Sequence, residues 1–243
     1  MRKALCFLFA LCILHFANAQ ENQITKPNIT LKWAPTGLLL GSLSVQGEYN
    51  FGGKSSLTAK IGLPVNAHHN FEYDGDDADF NLKATTFLAG YRTYLSKSHL
   101  KGLYFEPYFK YVHHTSEGSA NSTLNNRSVR FDFTNDYNGV GVGTPLGVQF
   151  LIKKRFVIDL FFLGPEINSA TNNFKAVELT STISWNSIEA NEAEHDIRDF
   201  IDKFPFIRNK THVMVDKDNR TVTADFKGAL PGMRVGVSFG VAF

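Results

Sequence analysis

The chain has 243 residues, and its 25 Lys plus Arg nearly balance 23 Asp plus Glu, so nothing in the charge calls for nucleic acid. Phe (22) and Gly (19) are abundant, and both cysteines, Cys6 and Cys12, fall at the very start. The remainder therefore has no disulfide framework, no thiol chemistry and no Cys-ligated metal.

Arg2 and Lys3 precede an apolar run from Leu5 to Phe16, and Ala17-Asn18-Ala19 is a small-x-small cleavage motif. That layout predicts an export signal over 1–19 and a mature chain over 20–243. The apolar run is too short for a spanning helix, which needs roughly 20 residues. Cys12 follows Leu11, where a lipoprotein site requires a small residue, so lipidation there is not expected. The mature chain has no apolar run of helix-spanning length, so it could enter a membrane only as a closed barrel.

In chain order, a short strand is predicted near Ile29 to Trp33, with Lys32 on its polar side. Leu43, Val45, Tyr49 and Phe51 then alternate with Ser44, Gln46, Glu48 and Asn50. Leu57, Ala59, Ile61, Leu63 and Val65 oppose Thr58, Lys60 and Gly62; Phe87, Ala89, Tyr91 and Leu95 oppose Thr86, Gly90, Arg92 and Tyr94. Leu103, Phe105, Phe109 and Tyr111 oppose Tyr104, Glu106, Tyr108 and Lys110. Val140 to Phe150 alternates with four glycines and Gln149, and Phe156 to Phe162 alternates around Asp159. The last stretch sets Met233, Val235, Val237, Phe239, Val241 and Phe243 against Gly232, Arg234, Gly236, Ser238, Gly240 and Ala242. Period two is the mark of strands. Large apolar residues against tiny or charged ones suit lipid outside and a crowded lumen inside.

These eight strands predict an all-β fold, a closed antiparallel eight-stranded transmembrane β-barrel. The connections 52–54, 96–102 and 153–155 are short, whereas 67–81, 114–135 and 168–229 are long and polar. Short turns on one side and long loops on the other are the outer-membrane arrangement. An even strand number then places both termini on the periplasmic side of a bacterial outer membrane. Aromatic residues near strand ends, such as Trp33, Tyr49, Phe150 and Phe243, fit interfacial girdles.

The final alternating strand, with Phe239, Val241 and Phe243, resembles the signal read by the barrel-assembly machinery. The runs Lys32-Trp33-Ala34-Pro35, Gly90-Tyr91-Arg92-Thr93-Tyr94-Leu95 and Gly102-Leu103-Tyr104-Phe105 are similar to a family of small eight-stranded outer-membrane barrels of unknown function. The resemblance spans nearly all of the mature chain and implies an architecture and outer-membrane lipid as surroundings, with no activity attached.

Eight strands enclose a lumen that side chains can fill. The charges expected inside are Lys32, Glu48, Lys60, Arg92, Glu106, Lys110, Asp159 and Arg234. Buried charges must be paired, so Glu48, Glu106 and Asp159 are expected to be bridged by the five cations. Such a network is either a structural plug or a path for protons, ions or a polar ligand.

Within 168–229, Asn186 can cap a helix with Glu189 reaching back. Ile197, Phe200, Ile201 and Phe204 share one helical face, Pro205 ends it, and Thr211–Val215 with Thr221–Phe226 reads as a hairpin. The insertion is thus expected to hold a short helix and a hairpin, and to shield the barrel mouth or bind a protein partner.

Other motifs carry less. His68, His69, His113 and His114 approach one rim, but no fixed spacing supports a metal site, and no cofactor is expected. His114-Thr115-Ser116 with Glu117 resembles the His-x-Ser pair of barrel lipid A deacylases, yet the alternation turns His114 inward, away from the lipid. The Asn-x-Ser/Thr triplets at Asn28, Asn121 and Asn209 belong to a eukaryotic route, and the acidic run Asp74–Asp79 lacks EF-hand spacing. The expectation is a non-enzymatic barrel presenting outer loops for structural or interaction purposes, including as a subunit of an envelope assembly. A narrow conduit and a lipid A-modifying enzyme are the alternatives.

Overall fold

The computed structural model describes residues 27–73, 76–96 and 99–243. The expected export signal lies outside them, as do Asp74, Gly75 and part of the 96–102 turn. The architecture is all-β. It begins with β1 (Ile29–Ala34), the single-turn α1 (Thr36–Leu39), β2 (Ser42–Asn50), β3 (Ser55–Pro64), β4 (Ala67–Tyr73) and β5 (Asp76–Tyr94). There follow β6 (Gly102–Phe105), β7 (Tyr108–Leu124), β8 (Arg127–Gly143), β9 (Leu146–Ile152) and β10 (Phe156–Glu178). The chain ends with α2 (Ser187–Asp202), α3 (Pro205–Arg208), β11 (Thr211–Asp216) and β12 (Thr221–Ala242).

All strands belong to one large antiparallel sheet with the pairing pattern of a β-barrel protein. β1, β2, β3 and β5 pair in succession, and β5 continues onto β6 and β7. β6 pairs with β9, β7 with β8, and both β8 and β9 with β10. β10 pairs with β12, and β12 pairs with β1. The chain breaks between β6 and β7 and between β8 and β9 fall at Pro107 and Pro145, which have no N–H to give a ladder. Alternation survives both breaks: Tyr104, Glu106 and Tyr108 are all buried.

The wall is uneven. β1 has 6 residues and β10 has 23. On the tall side β4 lies on the upper part of β5, and β11 lies on the upper part of β12. This corrects the expected loops. The 114–135 segment is a continuous hairpin, closed by Asn125 and Asn126 at φ 50° and 60°. Asparagine tolerates that left-handed geometry, and a two-residue turn of this kind matches the strand twist. Likewise 67–81 is mostly the β4–β5 hairpin, and 168–178 and 221–229 are strand. The part of the insertion outside β10 and β12 is 179–220. These extensions were hidden because their outer face is polar, as at Thr115, Glu117, Ser119, Asp132 and Thr134, so their alternation fades.

One register shift matters for the inner face. Phe161 pairs with Gly236 but Gly164 pairs with Arg234, so β10 carries one extra residue there, with Leu163 at φ 47°. This is a β-bulge, and it reverses which side chains point inward beyond it. Asp159 and Phe161 face in before it; Glu166 and Asn168 face in after it.

Candidate functional site

The enclosed face of the sheet carries charges that water does not reach. Lys32, Glu48, Arg92, Glu106 and Asp159 are each no more than 2% exposed. Lys32 Nζ donates to Glu48 Oε2 at 2.9 Å, Gln149 Oε1 at 2.9 Å and Asp159 Oδ2 at 2.7 Å. Arg92 donates to Glu106 Oε2 at 2.7 Å, Gln149 Oε1 at 2.7 Å, Asp159 Oδ2 at 2.9 Å and Glu48 Oε2 at 3.3 Å. Its guanidinium also lies 3.7 Å from the centre of the Tyr104 ring. Three hydroxyls complete the carboxylates: Tyr94 to Glu48 at 2.6 Å, Tyr104 to Asp159 at 2.6 Å and Thr58 to Glu106 at 2.7 Å. Each oxygen of the three carboxylates has a partner, as a charge removed from water requires. The network crosses the enclosed space at the level of the short turns and fills it with protein.

Five of the eight expected charges therefore meet in one place, but the bridging differs from the expectation. Of the five expected cations, Lys32 meets Glu48 and Asp159, and Arg92 meets all three carboxylates. Lys110 is bound one level higher by Glu166, which also accepts from Tyr108 Oη at 2.6 Å and Asn168 Nδ2 at 3.2 Å. Arg234 stacks over Phe161 at 4.6 Å and Tyr108 at 5.0 Å. Among the described residues, neither Arg234 nor Lys60 has a carboxylate within ion-pair distance. Glu166 escaped sequence reading because strict alternation from Asp159 points it outward; the bulge brings it in. A sequence signal existed in Gly164-Pro165, a pair that disturbs a strand. Tyr94, Tyr104 and Gln149 lay on the predicted polar face, and their part as charge partners emerged only from the structure.

A second cluster lies at the far end of the tall wall. Leu124, Val129, Trp185, Ala190, Ala193, Ile201, Val213, Val222 and Ala224 form an apolar core between α2 and the inner faces of the extended strands. Asn186 caps α2 by accepting from Ile188 N and Glu189 N, and Glu189 accepts from Asn186 N at 2.9 Å, the expected reciprocal box. Arg127 holds Glu178 with two bonds, at 2.8 and 3.3 Å, and reaches Glu189 at 3.2 Å. Trp185 Nε1 donates to Glu178 Oε2 at 2.6 Å. Burial works to raise the Glu178 carboxyl, but the bonds from Arg127 and Trp185 outweigh it and hold it below the ordinary glutamate value. The expected apolar face of α2 is half right. Ile197 and Ile201 turn into the core with Ala190 and Ala193, whereas Phe200 and Phe204 stack on each other and stay exposed. α2 ends at Asp202, and Pro205 opens α3.

The histidines take separate partners. His68 meets Asp79, His69 meets the Leu39 carbonyl, His113 meets Asp136, and His114 packs edge-on to Tyr137. Phe239, Val241 and Phe243 lie on the outer face at the end of β12, where the Phe243 carbonyl accepts from Asn28 N at 2.8 Å.

No protein-family model matches the chain, and the search of curated proteins gave no match. A similar solved structure is the crystal structure of Acinetobacter baumannii CarO, 10% identical, with a TM-score of 0.47 over 92% of this chain and 100% of that one.

Proposed function

We propose that this chain is a non-enzymatic outer-membrane β-barrel of eight staves that closes its own lumen and presents a folded insertion outside the cell. The staves are β1, β2, β3, β5, β6 with β7, β8 with β9, β10 and β12, and the pairing of β12 with β1 supports their closure. The observation that carries the reading is inversion. Leu31, Leu57, Ile61, Phe109, Val142 and Val235 stand exposed on the outer face, while the charges of the floor network are buried inside. A soluble protein gains stability by the opposite arrangement. In lipid it is the stable one, since a closed barrel leaves no backbone group unpaired.

The short turns, the first described residues and Phe243 share one end, which supports a periplasmic end there. The tall wall and α2 then stand on the outside. Ile188, Phe200 and Phe206 on the insertion surface support contact with a protein partner. Insertion by the barrel-assembly machinery follows from the same reading.

Refolded protein should run faster on a detergent gel when unboiled than when boiled, and planar bilayers should stay silent. Steady single-channel steps would replace the closed barrel with the conduit reading. Equal mobility before and after boiling would sink the barrel itself.

A further inference from the structure

Above the floor network the enclosed space is not filled. A cavity of about 340 Å³ is lined by Lys60, Lys110 and Arg234, with Glu166, His114, Ser42, Ser44 and Thr86. Three basic side chains thus face one carboxylate. That carboxylate is spent on Lys110, Tyr108 and Asn168. The floor carboxylate Glu106 is bound to Arg92 and Thr58. Arg234 offers its ring-facing plane to Tyr108 and Phe161, which leaves its hydrogen-bonding fork without a carboxylate. Lys60 and Arg234 are partly withdrawn from water, and a counter-charge relieves the cost of a basic group so placed.

The hydroxyls point to where that counter-charge sits. Gly62 lies on β3 two residues from Lys60, and a Cβ there would collide with Ser42 Oγ and Thr86 Oγ1 and crowd Ser44 Oγ. The missing side chain lets three hydroxyls converge beside the cations. Ser42 and Ser44 are 3.4 Å apart and bonded to each other, but the buried Thr86 hydroxyl has no partner among the described residues. Basic groups on two sides, an arginine fork that meets no carboxylate among the described residues and an idle hydroxyl form a cradle for oxyanions.

We propose that this vestibule binds a small anion bearing a carboxylate or phosphate group, held by Arg234 and Lys60 with the Ser42–Ser44–Thr86 hydroxyls. Arg234 takes two oxygens of the group, Lys60 contributes charge, and Thr86 donates. The cavity volume suits a solute of a few carbons; pockets of roughly 300–1,000 Å³ are the usual size for small ligands. The site rests on the barrel reading only for the cavity's being lumenal.

The test is calorimetric titration of the full barrel, refolded in an uncharged detergent, with inorganic phosphate and with succinate. Saturable binding is expected, with Arg234→Met and Lys60→Met each weakening it by about tenfold or more. Arg234→Lys should weaken it less than Arg234→Met, because charge remains and only the fork is lost. Lys153→Met, on a remote turn, should bind as the parent does. A parallel titration with dihexanoyl phosphatidic acid separates the sources: tighter binding than phosphate assigns the site to a lipid headgroup, and equal or weaker binding to a free solute. Unboiled gel mobility of each variant reports folding. If Arg234→Met does not fold, Lys60→Met and Arg234→Lys decide. A folded barrel that shows no saturable heat, or whose binding ignores both substitutions, overturns the site and leaves the barrel standing. A parent protein without the mobility shift counts against the barrel instead.

Discussion

The floor network and the outer cluster solve the same problem with opposite materials. Each places an arginine between carboxylates, at least one of which also accepts from an aromatic side chain: Arg92 with Glu48, Glu106 and Asp159 beside the hydroxyls of Tyr94 and Tyr104 below, Arg127 with Glu178 and Glu189 beside the Trp185 N–H above. In the floor, charge is much of the filling, beside the buried Leu100 and Val157, while Leu31, Leu57, Tyr91 and Phe109 are turned outward. In the outer cluster, the ionic group is a seam along an apolar core made of Leu124, Val129, Ile201 and Val222. The difference teaches what the surroundings impose. On the proposed reading, lipid outside the lower wall makes polar groups find each other within, and water outside the upper wall restores the usual sorting within a few residues of the same strands.

The two regions should therefore break differently. Arg92→Met leaves three carboxylates in the floor with Lys32 alone, and loss of one partner from a buried pair costs about 3–5 kcal/mol. Urea unfolding of the refolded barrel, followed by gel mobility, should show that loss, with the insertion falling as part of the whole. An unchanged midpoint would mean that the floor is not a coupled network. Trp185→Ala removes a large side chain from the outer core and the donor to Glu178, at a cost of about 3–5 kcal/mol of local stability. Protease should then cut within 179–220 while the barrel midpoint stays in place. A matching fall in the barrel midpoint would show that the two regions are one cooperative unit.

Glu178→Gln is milder, at about 1–3 kcal/mol for a lost charge-assisted pair, and it carries a pH signature. The native carboxyl titrates below its ordinary value, so the unfolded form binds protons first as the pH falls. The contribution is complete above the ordinary glutamate value and disappears as pH drops through the lowered native one. Protection of 179–220 from an acid-tolerant protease should decline across that window in the parent. It should be nearly flat in Glu178→Gln; parallel curves would place the acid sensitivity elsewhere. The smallest effect is expected at the β9–β10 turn, where Lys153 and Lys154 sit at φ 50° and 59°. Lys154→Gly relieves a left-handed lysine and should stabilise the barrel by about 1 kcal/mol in the same urea assay. Lower stability would mean that the lysine makes an interaction worth more than the strain.

Much of this was legible in the chain because alternation is local. Leu31 and Lys32, or Tyr91 and Arg92, are assigned to opposite faces by adjacency alone, and no distant residue can change that within an unbroken strand. Asn186 and Glu189 are equally local, since both ends of the cap lie within one turn. What alternation cannot supply is the partner across the lumen. Lys32 and Asp159 are 127 positions apart, and their 2.7 Å contact depends on how the strands stagger around the barrel. Nor could it place Glu166, because one extra residue at Leu163 reverses every facing beyond it.

The sequence by itself thus determined the period of the strands, which charges face inward below the bulge and where the helix begins, all properties of near neighbours. Tertiary structure alone decided that Lys32 and Arg92 hold the floor while Lys60 and Arg234 are left facing a cavity. It also decided that Ile201 is buried while Phe200 beside it is not. Those outcomes follow from strand stagger and from what packs above, and both are set by residues far away in the chain.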